Sequence, residues 1–442
     1  MKDNSQGISK SAFKPLIGRL LPARQLNRVC ERLGPTEHGP RSVKPAELIH
    51  GMVFHVLQGA GTLAQHMKRL TRRTITDGAL SQRRKTLPWT IFEEIMGAAL
   101  RPKADPRKHP EAFYKGLRLC GADGSRASVA NTPQVKASLL KAASRRHKAA
   151  FAQVSVMTVV ELGLHNPIAA AIGPKNESEA VLIQQVWEKL PEKSLLLVDR
   201  HHGVAKRLLE LRQAQPEGRR EFLARVRENL KARVLEVYPD GSALVEIRSG
   251  EQTMLVREIR GQVRRASGKW SRVRLWTSLL DWRQYPAREL LELYAQRWEH
   301  EGFYRELKVD MRSSPLLQSH TPETAAQEIA ALLLAYAMLV EERIQAAKVG
   351  QVEVLRISFV KVLEMVQGLW RFLQCAEGVL TEKQVRLIVR RAMRELAEEL
   401  VPRRRQRACP RKLRKPVSGW PRLLRNTYTN GPIQYELRSI KA

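Results

Sequence analysis

Two stretches, LRLCGADGS at residues 117–125 and SLLLVDR at residues 194–200, decide how this chain folds. Each carries a short apolar run into an aspartate, Asp123 in the first and Asp199 in the second. The run at 194–198 is continuously apolar, the pattern of a strand buried on both faces, and residues 117–122 read as a first strand of the same sheet. Between them, AFAQVSVMTVVEL (150–162) predicts a second strand and residues 167–172 a third, closed into a hairpin by the turn at 163–166. Asn176 with Glu179 reads as a capping box for a helix running to Leu190. The fold class is therefore mixed α/β.

Outward from this centre the pattern changes on both sides. Residues 12–100 place apolar and basic positions at helical spacing, broken by Gly34-Pro35, Gly39-Pro40 and Gly61, with basic clusters at 68–73 and 83–85. Downstream, 222–280 is strand-like again, including Val234 to Tyr238, the turn Pro239-Asp240-Gly241, and Ala243 to Ile247. A helix is predicted from Pro286 to about Val309, and more helix from 322 to about 400. These readings divide the chain into a helical N-terminal domain (1–110), a catalytic core (111–220 and 285–320), a β-rich insertion (221–284), a helical C-terminal region (321–400) and a basic tail (401–442). The helical N-terminal domain is either a solvated basic bundle or the part that recognises DNA ends, and no single recognition helix stands out.

Composition narrows the partner. The 442 residues carry 77 Lys and Arg against 44 Asp and Glu, a formal net charge of +33. Such an excess repels itself in the compact state, and a polyanion that releases counterions on binding best offsets it. Nucleic acid is the expected partner, and with no lipidation motif or basic amphipathic anchor a membrane is not. The four cysteines are scattered without zinc-ligand spacing, and the apolar run at 329–340 is too short to span a bilayer, so a cytoplasmic protein with a buried helix there is expected.

The chemistry rests on acids. A carboxylate at a strand end projects from a rigid edge, and Mg²⁺, a hard cation, is held by a few such oxygens together with a substrate phosphate. A strand-end aspartate is equally at home in a turn, so two of them need a third partner. LYAQRWEHEGFYRELKVDM (293–311) supplies one: Tyr294, Arg297, Glu301 and Lys308 step by three, four and seven residues and so fall on one stripe of a regular helix. A salt-bridged exposed helix would show similar spacing, because Arg297 and Arg305 flank Glu301. The cations are nonetheless spaced to grip phosphates beside a metal-holding Glu301. Trp298 and Trp270 read as core, and His201 and His202 as loop residues near DNA phosphate.

The pattern Y-x2-R-x3-E-x6-K, matched by Tyr294, Arg297, Glu301 and Lys308, resembles the signature of transposases of the insertion-sequence-four type. Asp123-Gly124-Ser125, Asp199-Arg200 and the strand-rich insertion before the third acid are similar to that family too, while His201-His202-Gly203 departs from it. The resemblance implies an RNase H-like core and a catalytic, metal-binding triad of Asp123, Asp199 and Glu301. It implies Mg²⁺ as cofactor, with Mn²⁺ as a substitute, and contacts from Tyr294, Arg297 and Lys308 to terminal DNA phosphates. It further implies cut-and-paste transposition by a homodimer and narrows the partner to double-stranded DNA, both terminal inverted repeats and target DNA. An inactive, domesticated DNA-binding protein and an RNase H-like nuclease without strand transfer are the alternatives.

Overall fold

The computed structural model describes residues 20–35, 43–139, 149–214, 220–264, 270–312 and 314–402, so the basic tail lies almost wholly outside the described residues. Among the described residues five helices come first: α1 (Ala23–Leu33), α2 (Pro45–Gln58), α3 (Leu63–Thr71), α4 (Asp77–Lys85) and α5 (Trp89–Ala99). The sheet follows with β1 (Phe113–Tyr114), β2 (Leu117–Val129), the short helix α6 (Pro133–Ser138), β3 (Ala152–Glu161) and β4 (Asn166–Gly173). Then come α7 (Glu179–Trp187), β5 (Ser194–Val198), α8 (Ala205–Gln213) and β6 (Arg220–Arg225).

Pairing defines the core. The sheet runs β4-β3-β2-β5-β6, with β2 antiparallel to β3, β3 antiparallel to β4, and β5 parallel to both β2 and β6. That order and those directions are the RNase H-like arrangement, in which the first and fourth strands of the core, here β2 and β5, lie side by side. β6, the opening of the strand-like stretch after Asp199, is thus the fifth strand of this core.

The remaining strands lengthen the same sheet. β10 (Trp270–Thr277) pairs with β6, and β9 (Gln252–Arg264), β8 (Ala243–Ser249) and β7 (Arg233–Val237) follow antiparallel. The turn between β7 and β8 has a positional role. Asp240 Oδ2 accepts from Arg257 Nη2 at 2.6 Å and from the backbone N of Ala287 at 3.0 Å, the first residue of α9 (Ala287–Leu293). A carboxylate at a helix N-terminus satisfies an orphan donor and suits the dipole there, so the insertion fixes where the next helix begins.

Apolar side chains on opposite sheet faces build separate cores. Met157, Val159, Ala169 and Ala171 pack with Leu182, Ile183 and Val186 of α7, whereas Val154, Val156, Val160 and Ile172 face the other way. That second face is covered by α11 (Pro322–Gly350), whose residues 329–340 are all buried or nearly so, as the apolar run predicts. By length and composition α11 could cross a membrane, but 89% of its apolar window is inside the protein. The N-terminal helices and α12 (Phe359–Cys375) share this core with α11, and α13 (Glu382–Glu398) joins it through Met393 and Leu396.

Three local features differ from the sequence reading. β2 continues past Asp123 to Val129 because β3 goes on pairing with it, Asp123↔Thr158 through Val129↔Ala152, after β5 has stopped. The capping box does not form: Ser178 is the N-cap of α7 without a side-chain cap bond, and Asn176 adopts φ +64°, which leaves the Glu179 side chain free to point elsewhere. The helix predicted from Pro286 is a composite of α9, a 3₁₀ turn Tyr294–Arg297, α10 (Trp298–Arg305) and a π-turn Glu306–Asp310.

Candidate active site

The last matched pair between β2 and β5 is Ala122↔Val198, so Asp123 and Asp199 come next on adjacent parallel strands. Neighbouring strands lie about 4.8 Å apart, which makes this the place where two carboxylates can face one space. Burial and then the negative Asp199 push the Asp123 carboxyl up to about 6, with Arg297 opposing. Asp123 Oδ1 accepts from the Gly124 backbone at 2.9 Å, and Asp199 Oδ1 accepts from the backbone of His201 at 2.8 Å. Each acid is thereby held by its own chain.

Glu301 is delivered differently. It stands on α10 with 46% of its side chain exposed, and Arg297 Nη2 donates to its Oε1 at 3.1 Å. The other guanidinium nitrogen of Arg297 lies 3.8 Å from Asp123 Oδ2. Arg297 is thus interposed between the first and third acids, joining them as a bridge of opposite charge. Among the described residues no three acidic, histidine or cysteine side chains stand close enough to chelate an ion as they are.

The signature stripe is bent by its irregular helix. Tyr294, in the 3₁₀ turn, is buried, and its hydroxyl donates to Val198 O at 3.1 Å, directly below the turn bearing Asp199. Lys308, in the π-turn, donates to Ser125 Oγ and, at 3.0 Å, to Arg126 O, beyond Asp123 on β2. Burial and then Arg312 lower its pKa. Trp298, expected in the core, is 58% exposed beside Arg297, with the Arg297 guanidinium 5.2 Å from its ring centre. The side chain of Trp270 lies outside the described residues.

The back of α10 is anchored by buried polar groups that the sequence reading passed over. Tyr304 donates to Asp123 O at 2.8 Å and shares Thr158 Oγ1 with His300 Nε2, both contacts at 2.9 Å. His165, in the β3–β4 turn at φ +55°, places Nε2 3.0 Å from Glu299 and Nδ1 2.9 Å from Glu306. Glu306 also accepts from Tyr336 at 2.5 Å and from Arg343 at 3.3 Å, both on α11. Nothing in linear spacing pairs residue 165 with residues 299 and 306, so this anchor had no signal to find.

A second residue missed by that reading is Glu179. A Cβ on Gly124 would stand 2.7 Å from Glu179 Cδ, so the glycine of the D-G-S motif clears the space this acid occupies. Glu179 Oε2 lies 3.4 Å from His201 Nε2 and adds to the negative field on Asp123. His202, expected in a loop at DNA phosphate, is instead 1% exposed, with burial lowering its pKa to about 4 and Nδ1 3.0 Å from Arg207. The reason is local: its backbone turns inward to reach Asp199 Oδ1.

An RNase H-like sheet with paired aspartates where the first and fourth strands meet defines a class of nucleic-acid-processing enzyme. A family profile described as "Transposase DDE domain" matches residues 117–338, half of the chain, and the protein belongs to that family, in its insertion-sequence-four branch. It is similar to "Transposase InsG for insertion sequence element IS4" of Escherichia coli (strain K12), 28% identical over 425 residues that cover 89% of this chain and 90% of that one. Among solved structures it is similar to the cryo-EM structure of a piggyBac transposase synaptic complex with hairpin DNA, with a TM-score of 0.43 and 10% identity, covering 93% and 91% of the two chains. The chain is a DNA transposase, an enzyme that binds DNA and uses a divalent metal.

Proposed function

We propose that the protein moves an insertion sequence by cut-and-paste transposition, with Asp123, Asp199 and Glu301 as the carboxylates of one reaction centre. The observation that carries this reading is the Ala122↔Val198 register, which sets Asp123 beside Asp199, with Arg297 reaching from Asp123 to Glu301. The fit to a hard dication is electrostatic. A half-buried carboxyl raised to about 6 by burial and a neighbouring acid is relieved by a cation, and the donors are all oxygens. Mg²⁺, with Mn²⁺ as a substitute, would be held there by the three acids, and when bound it polarises phosphate and supports in-line exchange at phosphorus.

The protein's own groups do the rest. Arg297, bonded to Glu301 and 3.8 Å from Asp123, and Lys308, bonded to Ser125 two residues past Asp123, would take the phosphates of the transposon end, Arg297 leaving its carboxylate partners to do so. Tyr294 supports the strand end under Asp199 and sits against Arg297, so its part in holding phosphate runs through that arginine. Tyr304 and His300 keep α10 against β2 and β3, so that Glu301 stays linked through Arg297 to Asp123. Because water and a freed 3′-hydroxyl both attack phosphorus in line, one centre serves strand cleavage and strand transfer alike. The helical N-terminal region would bind the terminal repeats, and a homodimer would hold two of them.

The test is direct. Incubation with a duplex carrying the element's terminal inverted repeat, a supercoiled target and Mg²⁺ should yield both nicked and joined products. Nicked products without joined ones would favour a nuclease, and neither product from the intact chain would overturn the proposal.

A further inference from the structure

α3 and α4 are nine residues each and are joined by the turn at 72–76, where Arg72 adopts φ +60°. They are mounted in opposite ways. α3 buries His66, Met67, Leu70 and Thr71, whereas α4 buries Leu80 alone. One apolar side chain cannot hold a nine-residue helix in place, since short helices owe their stability to a packed face.

Polar ties hold α4 instead. Arg84 Nη2 donates to Ser319 Oγ at 2.8 Å and to Thr324 O at 2.7 Å, and Arg83 Nε donates to Val43 O at 3.2 Å. Gln327 Nε2 donates to Arg84 O at 3.0 Å. At the start of the helix, Thr76 Oγ1 accepts from Ala79 N at 3.2 Å and Asp77 Oδ1 from Ala64 N at 3.0 Å. Burying a guanidinium is costly, and what these bonds secure is orientation.

The face so oriented is distinctive. Leu80, Arg83 and Arg84 point inward, and at 100° per residue the opposite side is Gly78, Gln82 and Lys85, with Ser81 at its edge, all exposed. No acid lies on that stripe, because Asp77, the one acid of α4, is turned to Ala64. Around the Gly78 Cβ position there is nothing within 4 Å, so its backbone can be approached closely. Exposed Lys68 and Arg69 stand on the preceding helix.

We propose that α4 is the helix that reads DNA sequence, seated in the major groove with Gln82 and Lys85 against base edges and Gly78 allowing close approach. The reading rests on the protein acting on DNA and says which part of it recognises the ends. Glutamine pairs in two-point fashion with adenine and lysine donates to guanine, while Lys68 and Arg69 suit the flanking phosphates. A nine-residue helix is roughly 13 Å long, comparable to the groove's width of about 12 Å. A helix, a turn and a second helix exposed in this way form a recurrent groove-reading unit. An ordinary solvated helix would intersperse acids along its outer stripe and would need no half-buried, hydrogen-bonded arginine to aim it.

The test is selection from a randomised duplex pool by the full chain in EDTA, followed by titration of the selected duplex and a scrambled one. Gln82→Ala and Lys85→Ala should each lose base preference at a few adjacent positions and bind the selected duplex on the order of tenfold more weakly. Gln82→Ala should keep near-wild-type affinity for the scrambled duplex, Lys85→Ala should lose less there than on the selected one, and both should melt near wild type. Lys68→Ala should weaken both duplexes alike and flatten the salt dependence. If both α4 variants select the wild-type sequence with wild-type affinity, or alter only self-association, α4 is not the reading helix. Failure of the wild-type chain to hold any duplex would overturn the DNA-directed reading itself, a separate result.

Discussion

The strand ends and the helix that meets them hold their acids in different ways. Asp123 and Asp199 are set by backbone register, one residue past Ala122↔Val198, and each also accepts a hydrogen bond from a backbone N–H one or two residues on. Glu301 is set by side chains: Arg297 in front, and behind it Tyr304, His300, and the His165–Glu306–Arg343 cluster. A ladder of main-chain bonds survives the loss of a side chain, whereas a side-chain anchor does not. Loss of a strand acid should therefore remove chemistry alone, while loss of an anchor should disturb both stability and the placement of Glu301.

The largest effect tests the strand half. Asp199→Asn should lower cleavage of a labelled transposon end by roughly 10³-fold, the size seen when a preorganised charge is removed from a reacting centre. End binding in EDTA and the melting temperature should barely change. A variant that cuts at the wild-type rate would remove Asp199 from the centre, and one that no longer folds would show that the strand ends also rely on side-chain support.

Breaking the anchor should give the opposite profile. Glu306→Ala leaves His165, Tyr336 and Arg343 facing one another without their shared acceptor, and breaking a buried ion pair costs about 3–5 kcal/mol. Thermal melts should show that loss, and cleavage measured well below the melting point should fall as well. Unchanged stability would mean that α10 is held by Tyr304 and His300 without it.

The same cluster sharpens the contrast through pH. Burial favours the neutral acid, yet His165, Arg343 and Tyr336 outweigh it and hold Glu306 at about 2 against an ordinary 4.5. Glu306 therefore contributes stability above 4.5 that is lost as pH falls toward 2. Burial opposes charge on His165 too, but Glu306 and Glu299 raise its pKa above 6.5. Its contribution is complete below 6.5 and fades as pH rises through the raised value. Chemical denaturation against pH should show both limbs in the wild type, and both should shrink in Glu306→Gln. A wild-type curve without an acid limb would contradict the cluster's charge state.

The smallest effect lies where the strand half meets α7. In Gly124→Ala the new methyl group would meet Glu179, a flexible side chain able to move aside. The expected cost is about 1 kcal/mol of stability, at the low end for overpacking, with cleavage reduced only a few-fold. A full loss of cleavage with wild-type stability would instead make the position of Glu179 critical to the chemistry.

Much of this was legible in the chain. The apolar runs ending at Asp123 and Asp199, the hairpin between 150 and 172, the turn at Pro239-Asp240-Gly241 and the buried run at 329–340 each have a local cause, and local causes are written in sequence. The spacing of Tyr294, Arg297, Glu301 and Lys308 singled out the segment but not its geometry. One stripe requires 3.6 residues per turn throughout, and here a 3₁₀ turn aims Tyr294 under β5 while a π-turn sends Lys308 to Ser125.

Other features belong to the tertiary structure alone. Glu179 looked like a cap because nothing near it in the chain showed that Gly124 would clear a space for it. His165 gained its role only when two helices closed over a turn more than a hundred residues away, and α4 became distinct only once its outer face was left uncovered. The chain's own order determined which acids and cations were available, the alternation that builds the sheet, and the positive charge that calls for DNA. Which of those groups share one space was decided by packing, because desolvation and hydrogen bonding act on neighbours in space, whatever their distance in sequence.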